Sequence, residues 1–318
     1  MKSSSNVNRL GRVALLVGVL ATALLASCGG GSQTTTFAAS RVIAFGDESS
    51  VINANGSKYT VNALASGSST VFDCNSSPIW VQAVAAIYGL TFPQCPNLVA
   101  DPTSRIYAVA GAHVADLSTQ IDQQILNGGF VAGDMVTVLI GANDVIDQFT
   151  QYPAIGEDQL LANVDAAGVE LANQVNRLAG LGAKVLISTI PDMGLTPYAG
   201  DRTAGSTNGN PAILSALSAR FNDAMLANIL NDGHKIGLIQ LDQYLIAVDN
   251  ATRAGITSAY ANTTLASCSV ALPNCSTNTL VADAVGAVWL WADDKHLSAT
   301  GQSGLASLAI TRAQNNPF

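Results

Sequence analysis

The sequence predicts a doubly wound α/β domain built on a five-stranded parallel sheet. Two patterns carry that expectation. Short apolar runs, several of them apolar throughout, alternate with longer stretches of helical period. Such runs suit strands buried on both faces, as in a parallel sheet covered by helices on each side. Nearly every run also ends at Gly or Pro, which stop a strand and turn the chain.

Arg41-Val-Ile-Ala-Phe45 is the first strand and ends at Gly46-Asp47. Ile79 to Tyr88 reads as a helix. Arg105-Ile-Tyr-Ala-Val109 is the second strand, ending at Gly111. Asp116 to Leu126 is a helix with Gly128-Gly129 as its stop signal. Asp134 to Ile140 is a β-branched third strand ending at Gly141. Asp158 to Leu181 is a long amphipathic helix stopped at Gly182. Ala183 to Ile190 is the fourth strand, ending at Pro191. Pro211 to Leu230 is a helix, Ile236 to Leu241 the fifth strand, and Ser298 to Gln314 the closing helix. Three polar stretches, 65–77, 199–210 and 255–280, interrupt the pattern and read as surface loops.

Ahead of the domain, Lys2, Arg9 and Arg12 precede the apolar run Val13–Ala26, and no acid occurs in residues 1–27. A basic head, a short apolar stretch and small residues form a secretory signal. The run is shorter than the roughly 20 residues a spanning helix needs. Leu25-Ala26-Ser27-Cys28 resembles a bacterial lipobox, with cleavage before Cys28 and lipidation of its thiol. Gly29-Gly30-Gly31-Ser32 then begins a flexible tether. The expected organisation is signal peptide 1–27, lipid-anchored tether 28–40 and domain 41–318. No Asp follows Cys28, which by resemblance to Gram-negative lipoproteins implies the outer membrane, facing the periplasm or the surface.

The full chain carries 14 Lys+Arg and 22 Asp+Glu. Removing three basic residues with the signal leaves 11 against 22, a net −11. No nucleic-acid partner is expected, because phosphate binding needs clustered Lys and Arg. Four cysteines remain beside Cys28, and export implies that they pair. Nearest neighbours would give Cys74–Cys95 and Cys268–Cys275, one of three possible connectivities. With three histidines and no CxxC in the chain, neither a metal site nor another cofactor is implied.

In open α/β sheets the ligand sits beyond the carboxyl ends of the strands. There the sequence offers Phe45-Gly46-Asp47-Glu48-Ser49-Ser50, then Gly111, then Gly141-Ala142-Asn143-Asp144. Near the end stands Asp293-Asp294-Lys295-His296, where a carboxylate three residues before a histidine can orient its ring. Ile190-Pro191 through Pro197 and Phe221-Asn222 add smaller signals. His113 suits a pocket wall or a surface loop, Asp144 a support for its own loop. Trp289 and Trp291 suit core packing or a substrate wall.

This ordered set resembles the SGNH/GDSL ester hydrolases across nearly all of the mature chain. The resemblance implies a single flavodoxin-like domain that hydrolyses acyl or acetyl esters of small-molecule, lipid or glycan substrates. It implies Gly111 and Asn143 as oxyanion donors and Asp293 and His296 as the acid–base pair. Such donors act on the charge that develops on the carbonyl oxygen.

The first block departs from the family's F-G-D-S: Glu48 stands in register with the nucleophilic serine. Three readings stay open. Ser49 attacks after a one-residue shift, Ser50 attacks, or Glu48 fills the slot and pairs with protonated His296. In the last reading the chain is a catalytically silent member that binds an acylated ligand or glycan, or it uses the carboxylate for different chemistry.

Overall fold

Arg41-Val-Ile-Ala-Phe-Gly46 forms β1, the strand around which the domain is built; Val42 through Phe45 are wholly buried. The computed structural model describes residues 37–95, 102–200, 210–256 and 259–318. The signal, Cys28 and residues 29–36 of the tether fall outside the described residues, as do residues 201–209 of the second polar loop. Phe37–Phe318 forms one compact unit.

β1 lies between β2 (Arg105–Ile106) and β3 (Asp134–Leu139), with β4 (Lys184–Ser188) and β5 (Ile236–Ile239) beyond. The order is β2-β1-β3-β4-β5 and every pairing is parallel. This is the flavodoxin-like order, which puts a switch point between β1 and β3. The register sets Gly46 opposite Leu139, so both strands end level at one edge. Salt-bridged Arg41 and Asp134 tie the opposite ends together.

The helices are α1 (Trp80–Ala86), α2 (Leu117–Leu126), α3 (Ala142–Phe149), α4 (Glu157–Gly180), α5 (Pro211–Asn228), α6 (Leu241–Arg253) and α7 (Ala299–Asn315). α1 packs on α7, joined by the Trp80 N–H donating to Gln302 Oε1 at 3.1 Å. α4 packs on α5 at Gly168, where a Cβ would stand 2.9 Å from that of Ala224. A side chain there would separate the two helices.

The structure differs from the sequence reading at particular elements. β2 stops at Ile106 because Tyr107 and Ala108 both donate to the single carbonyl of Ala44, which breaks the ladder. The residues after Gly141 form α3, and Leu241 opens α6 instead of closing β5. Inside the third polar loop, β6 (Asn262–Ala266) pairs in parallel with β7 (Trp289–Trp291). Trp289 and Trp291 are buried, and the Trp291 indole donates to Thr263 O at 3.0 Å. Disulfides join Cys74 to Cys95 and Cys268 to Cys275.

Candidate active site

The end of β1 is shaped by close packing. Gly46 has φ +130°, and a Cβ there would run into the Leu139 carbonyl. The Gln120 amide clamps it: the Gly46 N–H donates to Gln120 Oε1 at 2.8 Å, and Gln120 Nε2 donates to Gly46 O at 2.9 Å. Asp47 then caps a short 3₁₀ turn, Glu48–Ser50, by accepting the Ser49 N–H at 2.9 Å. A cap of this kind satisfies an orphan N–H at the start of the turn.

From that turn the Glu48 carboxylate reaches two sets of donors. Oε2 accepts the Gly111 N–H at 2.8 Å and Asn143 Nδ2 at 3.1 Å. Oε1 faces His296 Nε2 at 2.9 Å. Gly111 has φ +78° with open space at its missing Cβ. Asn143 stands in the first turn of α3, and Nδ2 is also anchored on Ala112 O at 3.1 Å. That turn is fixed by Gly141 (φ +121°), where a Cβ would collide with the Phe221 ring. Asp144 accepts the Val114 N–H at 3.1 Å and so ties the third loop to the second.

Asp293 holds His296 in two ways. Its Oδ1 accepts the His296 N–H at 2.7 Å and the Lys295 N–H at 3.0 Å. Its Oδ2 lies 2.7 Å from His296 Nδ1. Both ring nitrogens therefore face carboxylates, an arrangement that only the doubly protonated imidazolium satisfies at both ends. Burial works against that charge, but the hydrogen bonds to Asp293 and Glu48 outweigh it and raise the His296 pKa to about 9. Burial likewise opposes the Glu48 charge, yet the His296 and Gly111 hydrogen bonds take its pKa down to about 2. Asp293 is lowered as well, because its His296 hydrogen bond and the imidazolium charge exceed the effect of burial. Asp47 goes the other way, to about 7, through burial and then the neighbouring Glu48 charge.

The structure thus brings Glu48, Gly111, Asn143, Asp293 and His296 together through hydrogen bonds, and it is Glu48 that bonds the histidine. Ser50 is corrected outright as an attacking group: it is fully buried, and its Oγ accepts the Trp80 indole N–H at 3.2 Å. Ser49 lines the cleft, but the hydrogen bonds of His296 Nε2 and Nδ1 run to Glu48 and Asp293. His113 lies on the surface, with Nε2 2.8 Å from Asp147 Oδ2.

Sequence reasoning missed Gln120, Asp47 and Tyr59, whose ring centroid lies 6.0 Å from that of His296. Asp47 had a usable signal, as an Asp two residues before a backbone N–H at a strand end. Gln120 and Tyr59 had none. The cleft beside Glu48 is narrow, about 30 Å³ of free volume, and room for an ordered water needs about 10–15 Å³. Leu139, Ala142, Pro191, Leu241 and Leu297 contribute to its walls.

At the carboxyl edge of this parallel sheet a His–Asp pair and two N–H donors thus meet on the Glu48 carboxylate. The chain belongs to the GDSL-like lipase/acylhydrolase family, whose model matches residues 67–308. Gly111, Asn143, Asp293 and His296 lie inside the matched residues, and the Glu48 block precedes them. A comparison with curated proteins finds no match. Among solved structures, an extracellular lipase from Streptomyces rimosus is similar at 18% identity and TM-score 0.45, covering 87% of this chain and 100% of its own. An acetylxylan esterase from Geobacillus stearothermophilus is similar at 12% identity and TM-score 0.44, covering 89% and 99%. A G-D-S-L family lipolytic protein from Veillonella parvula is similar at 13% identity and TM-score 0.43, covering 85% and 96%.

Proposed function

We propose that the protein is an exported hydrolase of short-acyl carboxylic esters in which Glu48 is the attacking group. One observation carries this reading: the Glu48 carboxylate sits between the Gly111 and Asn143 donors and His296 Nε2. At neutral pH Glu48 is ionised and His296 protonated, a nucleophile beside an acid. A serine would need the opposite, a neutral histidine to take its proton.

In this reading the substrate carbonyl oxygen displaces Oε2 from the two donors. Oε1 adds to the acyl carbon, and the ester C–O bond breaks as His296 gives its proton to the departing alcohol. The resulting acyl-glutamyl anhydride is attacked at the acyl carbon by a water whose proton passes to the now neutral His296. Glu48 leaves as carboxylate, and the acid product is released. The narrow cleft favours an acetyl-sized acyl group.

The second reading is the silent member that binds an acylated ligand or glycan. What favours it is that the protein's own carboxylate already takes both donors. Hydrolysis of nitrophenyl acetate by purified protein separates the two. Attack by Glu48 requires turnover that falls at least ~10³-fold in Glu48→Gln and persists in Ser49→Ala. An inert wild type that gains activity in Glu48→Ser is the silent member. Fluorophosphonate labelling abolished by Ser49→Ala would return the attack to Ser49.

Export and anchoring through Cys28 at the outer membrane belong to the same proposal. They are supported by Leu25-Ala26-Ser27-Cys28 and by two disulfides, which suit an oxidising compartment. Cys28→Ala should move the protein into the soluble fraction or leave an unprocessed precursor. Unchanged membrane partition and unchanged mass would refute the anchor.

A further inference from the structure

The donors that an ester carbonyl needs are filled before any substrate arrives. Oε2 of Glu48 accepts from both Gly111 N–H and Asn143 Nδ2. An acyl substrate must evict Oε2, because its own carbonyl oxygen becomes the oxyanion. An electrophile at saturated carbon makes no such demand. Displacement there develops no oxyanion on the attacked carbon, so Oε2 can stay where it is while Oε1 attacks.

The product of such an attack is an alkyl ester of Glu48 itself. Its carbonyl oxygen, Oε2, already lies between the two donors. Its carbonyl carbon lies beside His296, which Asp293 orients through Nδ1 at 2.7 Å. This is the arrangement that ester hydrolysis calls for, applied to an ester made by the protein.

The leaving group can be chosen by the same logic. A halide takes no proton and would leave the imidazolium without a part in the first step. The oxygen of an epoxide stays attached to the substrate and must be protonated as the ring opens. His296 Nε2 lies 2.9 Å from the attacking Oε1, so the proton is at hand. The apolar walls, Leu139, Ala142, Pro191, Leu241 and Leu297, suit a substituent without charge.

We propose that Glu48, His296, Asp293, Gly111 and Asn143 form a site that hydrolyses small apolar epoxides through an alkyl ester of Glu48. Like the ester reading, this rests on Glu48 as the attacking group, but it involves no acyl transfer. In the first step Oε1 forms a bond to a ring carbon. The ring C–O bond breaks, its electron pair goes to the ring oxygen, and that oxygen takes the proton of His296. In the second step neutral His296 takes a proton from water, and the hydroxide adds to Cδ of Glu48. The charge on Oε2 is met by Gly111 N–H and Asn143 Nδ2. Collapse breaks the bond between Cδ and the alkyl oxygen, which recovers the proton from His296. The new glutamic acid then returns its proton to His296. The net reaction is epoxide plus water to vicinal diol.

The chemistry assigns each oxygen. In the first turnover the new diol oxygen is the old Oε1, and the water oxygen enters Glu48. Wild-type protein is therefore given propylene oxide, whose methyl group matches the narrow cleft, in ¹⁸O-water, with the diol and the Glu48 peptide read by mass spectrometry. The expected result is an unlabelled diol at single turnover and ¹⁸O in Glu48 that requires the epoxide. Glu48→Gln should lower diol formation at least ~10³-fold. Diol formation no faster than in buffer, or a labelled diol with unlabelled Glu48 at single turnover, overturns the proposal without relying on the variant's folding. Turnover of nitrophenyl acetate without turnover of propylene oxide overturns this proposal alone. Labelled Glu48 with no turnover of nitrophenyl acetate supports it and removes the ester reading.

Discussion

Glu48 and Lys58 are buried charges ten residues apart, and they are held in opposite ways. The Lys58 ammonium donates to three backbone carbonyls, Cys74 O at 3.0 Å, Ser76 O at 2.8 Å and Ser77 O at 2.9 Å. Its three protons are all used and its acceptors are neutral. Burial lowers its pKa to about 8, offset in part by Asp73. Glu48 has fixed donors on one oxygen and a titratable histidine on the other, at the wall of a cleft. A charge saturated by the backbone pins a loop, here the one that starts the Cys74–Cys95 disulfide. A charge half-held by a group that can move a proton is placed for chemistry. Burial alone does not distinguish the two; the nature of the partners does.

The largest stability effect should come from the saturated charge. Lys58→Met leaves three inward-facing carbonyls without their donor, at about 1–3 kcal/mol for each unsatisfied group, less the recovered cost of burying an ammonium. We expect a loss of about 3 kcal/mol in urea unfolding, with hydrolytic kcat/KM of the folded protein within twofold of wild type. A variant that unfolds like wild type but has lost activity would reverse the roles assigned to the two sites.

A smaller effect should appear as pH dependence on the Glu48 side. Glu48 is lowered to about 2 from an ordinary 4.5, so its contribution to stability is present above pH 4.5 and lost as pH falls through 2. His296 is raised to about 9 from 6.5, so its contribution is complete below pH 6.5 and lost as pH rises through 9. The pair therefore stabilises most between about pH 4.5 and 6.5. In Glu48→Gln, an NMR titration of His296 should show its pKa shifted down, and the alkaline loss of stability should begin earlier. Activity gives a sharper contrast. Attack by Glu48 needs protonated His296 and should decline as pH rises through 9, whereas attack by Ser49 needs it neutral and should increase there. An increase would break the distinction drawn for Glu48.

The sheet was legible because its strands are apolar runs stopped by Gly or Pro. Gly111 and Asn143 were marked by strand ends and Asp293 and His296 by their three-residue spacing, while the roles of all four came from the family resemblance. Two kinds of feature were not legible. Leu241 is apolar and follows an apolar strand, so periodicity could not show that it opens α6. The contact between Glu48 and His296 spans 248 residues, and only the folded chain shows which of residues 48 to 50 meets the histidine. Lys58 left no signal at all, since its partners are backbone carbonyls and any sequence supplies those.

The smallest effect concerns Asp47, the buried carboxyl next to Glu48. Burial and the Glu48 charge raise its pKa to about 7, against an ordinary 3.8. A carboxyl that binds its proton more tightly when folded gives stability that is complete below pH 3.8 and lost as pH rises through 7. At pH 8 its ionised form is thus a cost, offset in part by the Ser49 N–H it accepts. Asn in its place keeps an oxygen for that N–H and carries no charge. Asp47→Asn should therefore gain on wild type in urea unfolding as pH rises from about 4 to 7 and hold that gain above. Its effect on His296 should be slight, because Asp47 bonds the Ser49 backbone and the ring nitrogens bond Glu48 and Asp293. A gain that stays constant across this pH range would mean that Asp47 titrates like an exposed carboxylate. The like charge beside Glu48 would then be screened, and the cleft would be wetter than its narrow walls imply.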